Sequence, residues 1–186
     1  MISGSRIPTS RKGTPVEPTT RPIRSGETLA VNISFLDHQD EPVETAVLHD
    51  LAQLVLETEE LPDSTEVGIM LVTDHDMAGF NRRFMGKTGA TDVLALPLVA
   101  RGTDHRPDAD RTGSNLPYGL GDVIIAPHHV SRQAAQQGVP FQEEMALMVV
   151  HGLLHLIGYD HQTPSDAEGM ESKERKVLAR IGMERR

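Results

Sequence analysis

The chain has 186 residues, which predicts one domain with some additional chain rather than two domains. Its 38% hydrophobic and 24% charged residues are typical of a globular protein and exclude a collagen, a disulfide mini-protein and a wholly disordered chain. The net charge of −9 disfavours nucleic-acid binding by the whole surface, and the absence of cysteine leaves His, Asp and Glu as metal ligands.

Residues 1–27 are rich in proline and basic side chains. Residues 1–26 contain five basic residues and one acid, so the remainder carries 13 basic and 26 acidic residues, a net charge of −13. Such a composition buries too little apolar surface to fold, and we predict a disordered basic tail. We interpret it as a solvated extension in preference to an RNA-binding arm. The predicted domain is residues 28–186.

The first half of this domain alternates predicted strands and helices. Alternating apolar residues over Leu29–Phe35 predict a strand, and a helix follows from Pro42 to about Glu59. Its apolar stripe comprises Val43, Val47, Leu51, Leu54 and Val55. We predict a buried strand next, then a short helix with Asp74 as its N-cap. The strand comprises residues 67–72, and the helix extends through residue 84. Two further strands are predicted at residues 91–98 and 122–126.

The second half is predicted to be helical after a polar interruption. Residues 100–119 have no periodic pattern and are interpreted as a surface insertion. Three helices follow: one from Pro127 to about Gln137 with Gly138 after it, one with Pro140 in its first turn, and one with a capping box of Ser165 and Glu168 that reaches about Ile181 and Gly182. The order of elements predicts an α+β (α/β-like) domain in which a small, mainly four-stranded sheet packs with about five helices.

Three histidines form the most informative pattern. His151 and His155 are four residues apart, so they project from one helix face a turn apart. Gly158 can end that helix with a positive φ and return His161 to the same centre. Three imidazoles leave a fourth tetrahedral position for water, as in catalytic zinc sites. A purely structural zinc is the alternative.

The spacing is similar to H-E-x-x-H-x-x-G-x-x-H of the metzincin proteases, with one difference. The residue after the first histidine is Gly152, so the glutamate that serves as general base in those proteases is missing. Peptide hydrolysis is therefore disfavoured, unless Asp160 or another acid substitutes.

The segment H-G-L-L-H-L-I-G-Y-D-H at 151–161 resembles the signature H-G-x-L-H-L-x-G-Y-D-H of the bacterial YbeY family. T-D-V-L-A-L-P at 91–97 and L-G-D-V at 120–123 are similar to further family motifs, with Ala95-Leu96 in place of Ser-Phe. Met170 with Glu174 fits the family's C-terminal M-x-x-x-E pattern. The resemblance extends over about residues 29–183.

This resemblance implies a zinc-dependent endoribonuclease specific for single strands, acting in 16S rRNA 3′ end maturation and ribosome quality control. It implies one zinc ion held by His151, His155 and His161, with single-stranded rRNA and ribosomal subunits as partners, and ribosome-associated proteins as further candidates. The alternative is a non-catalytic ribosome-associated factor with a structural zinc. A metalloprotease is third.

Two carboxylates are candidates for helping the zinc site. Asp160 is a candidate catalytic residue, or one that orients a ligand or secures the turn. Glu144 precedes His151 by two helical turns on the same face and is a second candidate for orienting a ligand, without direct contact to His151.

A basic segment is the candidate phosphate contact. Where many family members read L-N-x-x-Y-R, this chain reads F-N-R-R-F-M, which puts Met85 at the arginine position. Residues 79–90 contain Arg82, Arg83 and Lys87 and no acid, and we expect one of them, with Arg83 as the named candidate, to supply the charge. A solvated helix face is the alternative.

The hydrophobic runs of the sequence bear on where the protein is located. The longest apolar run, 145–158, is too short to span a bilayer, and no secretory segment follows Met1. We expect a cytoplasmic monomer that does not contact membranes.

Overall fold

A computed structural model describes residues 31–98 and 117–185. The predicted tail and most of the predicted insertion lie outside these residues and stay predictions. In chain order the elements are β1 Asn32–His38, α1 Thr45–Thr58, β2 Thr65–Val72, α2 Asp74–Phe80, a π-helical turn Asn81–Met85, β3 Val93–Pro97, β4 Tyr118–Ile125, α3 Pro127–Gln137, α4 Phe141–Ile157 and α5 Pro164–Arg180. The predicted α+β class, a four-stranded sheet with five helices, is confirmed.

The sheet has the strand order β1-β2-β4-β3. β1, β2 and β4 are parallel, and β3 is an antiparallel edge strand beside β4. Side chains alternate across a strand, so Val123 and Ile125 face the core that contains α1 and α4, while Ile124 belongs to a smaller cluster with Met77 of α2. The sheet therefore lies between α4 and the α2 segment.

α4 is the central helix of the domain. Eleven of its 17 residues are buried, because it packs against the sheet, α1, α3 and α5. An apolar surface on nearly every side is what such a position requires. In the two described ranges, no helix is long and apolar enough to cross a membrane.

Several predicted strand and helix boundaries were wrong. β1 extends to His38, and β4 begins at Tyr118, so the last two residues of the predicted insertion, Tyr118 and Gly119, pair in the sheet. β3 is shorter than predicted at both ends. α1 begins at Thr45, and its predicted stripe is rotated, because Val47 is 45% exposed while the buried face comprises Leu48, Leu51, Ala52, Val55 and Leu56.

The caps also differ from prediction. Thr73, rather than Asp74, caps α2, and its Oγ1 accepts a hydrogen bond from Asp76 N at 3.2 Å. At α5 the cap is Thr163, two residues before the predicted Ser165, and it accepts from Asp166 N. In both cases the N-cap is a threonine that is followed three residues later by an aspartate, as in a capping box. Pro140 is the N-cap of α4 rather than part of its first turn, whereas Gly138 ends α3 in the left-handed conformation as predicted.

Candidate metal centre

The structure brings the three predicted histidines together. His151 and His155 project from adjacent turns of α4, which ends at Gly158 with φ 105°. His161 follows in the turn after it. One nitrogen of each ring lies within 4.8 Å of the other two, and the ring centroids are 4.5 to 5.7 Å apart. The glycine turn thus places the third imidazole as expected.

Hydrogen bonds orient two of the rings. Nδ1 of His151 lies 2.8 Å from Oε1 of Glu174, and Nδ1 of His155 lies 2.9 Å from the carbonyl oxygen of Tyr159. A carboxylate and a carbonyl only accept, so both Nδ1 atoms donate their proton. In the neutral rings Nε2 is then an unprotonated nitrogen, and the two Nε2 atoms are 3.1 Å apart.

This donor set fits a metal ion. Two nitrogen lone pairs at 3.1 Å repel each other unless a cation lies between them. Ligand bonds of 2.0 to 2.1 Å at tetrahedral angles put neighbouring nitrogens about 3.4 Å apart, close to this separation. Carboxylate or carbonyl partners on Nδ1 are the usual outer contacts of histidines that ligate a metal. His151, His155 and His161 therefore could hold one ion.

Two pKa shifts favour the same protonation states. Burial, together with the neighbouring His151, lowers the pKa of His155 from 6.5 to about 4, so this ring is neutral at neutral pH. Burial acts to raise the pKa of Glu174, but its hydrogen bonds to His151 and Arg185 outweigh that effect and lower it below the ordinary value. A charged Glu174 thus accepts the hydrogen bond from Nδ1 of His151.

Glu174 is the functional residue whose role the sequence left unassigned. It lies on α5 with 1% exposure, and its second oxygen accepts a hydrogen bond from Nε of Arg185. Arg185 also lies 3.3 Å from Glu171. The signal that could have revealed Glu174 is its place on the buried face of α5, four residues after the buried Met170. An acid there needs a partner inside the fold.

A buried network fixes Tyr159, whose carbonyl holds His155. The Tyr159 hydroxyl donates to Oε2 of Glu59 at 2.7 Å, and Nζ of Lys173 donates to Oε1 of Glu59 at 2.8 Å. Glu59 is 4% exposed. Burial and the bond to Glu59 raise the pKa of Tyr159, and the same carboxylate raises that of Lys173. The turn after α4 is thereby tied to α1 and α5.

Asp160 and Glu144 both line the cleft at the histidines, where Nδ1 of His151 contacts Glu174 and Nδ1 of His155 contacts the Tyr159 carbonyl. Asp160 accepts hydrogen bonds from the backbone N–H of His161 at 2.8 Å and from Gln162 Nε2 at 2.7 Å, which secures the turn. Glu144 accepts from Gln133 Nε2 at 3.1 Å. The roles expected of Asp160 and Glu144 stay predictions, and the carboxylate that contacts a metal-site imidazole nitrogen at 2.8 Å is Glu174.

The histidines open into a cleft of about 610 Å³ beside β3 and the π-helical turn. Its lining includes Met85, Lys87 and Arg185, and His161 is exposed. Arg82 and Arg83 instead line a separate depression of about 650 Å³. Of the three bases in the predicted basic segment, the structure therefore brings Lys87, and not Arg83, to the histidines.

Gly152 has no room for the acid of a metzincin. A Cβ atom at this position would lie 2.5 Å from Cγ1 of Val123 and 3.3 Å from Cγ2 of Val93. α4 approaches the sheet so closely here that any side chain requires Val123 to move. The packing thus disfavours a glutamate next to the first histidine.

Comparison with known proteins shows which family the chain belongs to. The family model described as Endoribonuclease YbeY matches residues 32–182. The chain belongs to the YbeY family. A relative from Geobacillus thermodenitrificans named Endoribonuclease YbeY is 34% identical over 160 residues, which cover 84% of this chain and all of the relative. A YbeY protein of the same name from Bacillus velezensis is 36% identical over 135 residues, covering 73% of this chain and 84% of the relative.

A solved structure is similar in fold. The solution structure of TM1509 from Thermotoga maritima superposes with a TM-score of 0.53 over 80% of this chain and 91% of that one. At 23% identity this similarity supports the fold alone.

Proposed function

We propose that this protein is a zinc-dependent endoribonuclease that cleaves single-stranded rRNA in 16S rRNA 3′ end maturation and ribosome quality control. We place it in the cytoplasm as a monomer that works on ribosomal subunits. Membership of a family named for endoribonuclease activity supports the reaction class. The observation that carries the proposal is the convergence of His151, His155 and His161 in an open cleft.

Bound at the three histidines, a zinc ion supplies a Lewis acid for a phosphoryl oxygen or lowers the pKa of a water molecule. Glu174 and the Tyr159 carbonyl hold two rings in the tautomer that such binding requires. These contacts fix the rings before any ion or substrate arrives, so little ordering is needed on binding. Asp160 keeps the backbone of the third histidine in place.

Lys87 is the proposed phosphate contact inside the cleft. Nδ2 of the buried Asn81 donates a hydrogen bond to the backbone carbonyl of Gly89 at 2.9 Å. The backbone carbonyl of Asn81 accepts a hydrogen bond from the backbone N–H of Lys87. The backbone that carries Lys87 is thus fixed at both ends of the loop. A positive side chain in a partly enclosed cleft attracts a phosphodiester despite the acidic surface elsewhere. The contact proposed for Arg83 falls outside this cleft.

The test combines metal content with cleavage. We would measure zinc by mass spectrometry on chelator-free protein, and cleavage of an unstructured RNA by wild type, His155→Ala and the exposed control His49→Ala. We expect one zinc per chain in wild type and in the control, with cleavage lost only in His155→Ala at unchanged folding. Protein that folds but takes up no metal would overturn the proposal.

A non-catalytic factor with a structural zinc is the second candidate. Met85 in the cleft, at the position of the family's arginine, is the observation that favours it. Zinc in wild type without RNA cleavage would support this candidate. The metalloprotease alternative is disfavoured by the space that Val123 occupies at Gly152.

A further inference from the structure

We propose that the depression lined by Arg82, Arg83, His38 and His75, here named the arginine depression, binds phosphates of the RNA strand outside the metal cleft. This inference rests on the proposed function, because it extends the path of the same substrate. Arg83 would then contact a different phosphate of the RNA from the one that Lys87 contacts in the metal cleft.

One short segment separates the two recesses. Asn81 and Met85 of the π-helical turn, with Lys87 after it, line the metal cleft. Arg82 and Arg83 of the same turn line the arginine depression, which is about as large. A strand that leaves the metal cleft over this turn therefore reaches the two guanidinium groups within a few nucleotides. Both recesses then belong to one continuous path.

The charge of the arginine depression is unusual for this protein. In the described ranges no carboxylate lies within salt-bridge distance of Arg82 or Arg83. The other four described arginines each have a polar partner: Arg132 with Asp74, Arg175 and Arg185 with Glu171, and Arg180 with Thr58. Asp76 also lines the depression, where its Oδ2 accepts a hydrogen bond from Thr73 Oγ1 and forms no ion pair with either arginine. Two adjacent guanidinium groups that pair with no carboxylate, in a chain of net charge −9, favour an anionic ligand.

The surface between the recesses suits a nucleobase. Phe84 is 47% exposed and Met85 is 46% exposed, and they are the last two residues of the π-helical turn. The Phe84 ring is held by stacking on Phe80, with centroids 6.2 Å apart, and by the Arg83 guanidinium 5.3 Å from its centre. A base that crosses the turn can stack on this fixed aromatic side chain while its flanking phosphates contact both recesses.

The deciding measurement is equilibrium binding, which needs no cleavage. Metal-loaded protein is titrated with fluorescent 2′-O-methyl RNA of 16 and of 4 nucleotides over a range of salt, and the RNA is checked for integrity afterwards. The variants are Arg82→Gln/Arg83→Gln and the control Arg175→Gln/Lys176→Gln, which removes two adjacent exposed charges from α5. Circular dichroism and melting temperature verify folding.

We expect the Arg82/Arg83 double variant to bind the long RNA about tenfold more weakly, and to lose most of the preference for 16 over 4 nucleotides. Its plot of log affinity against log salt should be shallower by about 1.4, since each phosphate contact on a single strand contributes about 0.7. Equal losses in both double variants, or wild-type binding by the Arg82/Arg83 variant, would overturn the inference. Absence of cleavage by wild type would refute the proposed function and leave this binding result standing.

Discussion

Glu174 on α5 accepts a hydrogen bond from Nδ1 of His151 on α4 at 2.8 Å, and its carboxylate is 1% exposed. The two residues are 23 positions apart, and the contact joins two different helices. It fixes both the direction of the His151 ring and the nitrogen that carries its proton. Metal binding should therefore depend on a residue that never touches the metal.

Glu174→Gln should weaken zinc binding by about 10- to 100-fold, because the ring loses the charged acceptor that increases its basicity. Competition with a chromophoric chelator measures this affinity. Glu171→Gln, which alters a neighbouring acid that contacts Arg185 and Arg175 but not His151, is the matched control. Equal affinities for the two variants would show that Glu174 does not support His151.

Gly152→Ala should destabilise the protein by about 1–3 kcal/mol, because its methyl group would overlap Val123. Gly169→Ala on α5 is a control of opposite sign. It has nothing within 4 Å of its added Cβ and should stabilise by about 0.5–1 kcal/mol. Urea denaturation of both variants gives the comparison. A stable Gly152→Ala protein would mean that the helix can move away from the sheet freely.

Tyr159→Phe should cost about 1–2 kcal/mol of stability, because it removes the hydrogen bond that the hydroxyl donates to the buried Glu59. The carbonyl that holds His155 is retained, so zinc stoichiometry should not change. A double-mutant cycle with Glu59→Gln in chemical denaturation isolates the pair. Additive effects of the two substitutions would argue against coupling between them.

The pKa of about 4 at His155 predicts how stability varies with pH without metal. An unfolded histidine titrates near 6.5, so below that pH the unfolded chain binds the proton more strongly than the native one. Above about pH 6.5 His155 therefore does not lower the free energy of unfolding. As the pH falls from 6.5 towards 4, protonation of this histidine in the unfolded chain decreases that free energy. Melting temperatures in chelator from pH 4 to 8 test it. His155→Gln should show a smaller loss over this range than wild type does, and identical curves would contradict the assignment.

The histidine cluster could be predicted because it is local in sequence. Helical spacing of four residues and a glycine after the helix determine where His151, His155 and His161 go. Glu174 could not be placed with the same reasoning, because its contact with His151 depends on how α5 packs against α4. The sheet order likewise depends on long-range pairing, in which β4 inserts between β2 and β3.

The basic segment at residues 79–90 shows a second limit of prediction from the sequence. Arg83 and Lys87 are four residues apart, which on a regular helix places them on one face. The segment is instead a π-helical turn that ends at Gly86 with φ 67°, so Lys87 lies beyond it and faces the other recess. Gly86 was the available signal for that ending. The N-caps of α2 and α5 were displaced because each predicted cap has a threonine one or two residues before it that can also cap the helix.

The order of residues at the metal centre also sets the order in which it is made. A chain synthesised from its N-terminus emits the sheet and α1 to α3 before any metal ligand appears, and Glu174 emerges only after all three histidines. His151 and His155 therefore arrive with the central helix α4, and the carboxylate that orients His151 comes last. An incompletely translated chain that stops before α5 would therefore carry the three histidines without the buried carboxylate that orients His151.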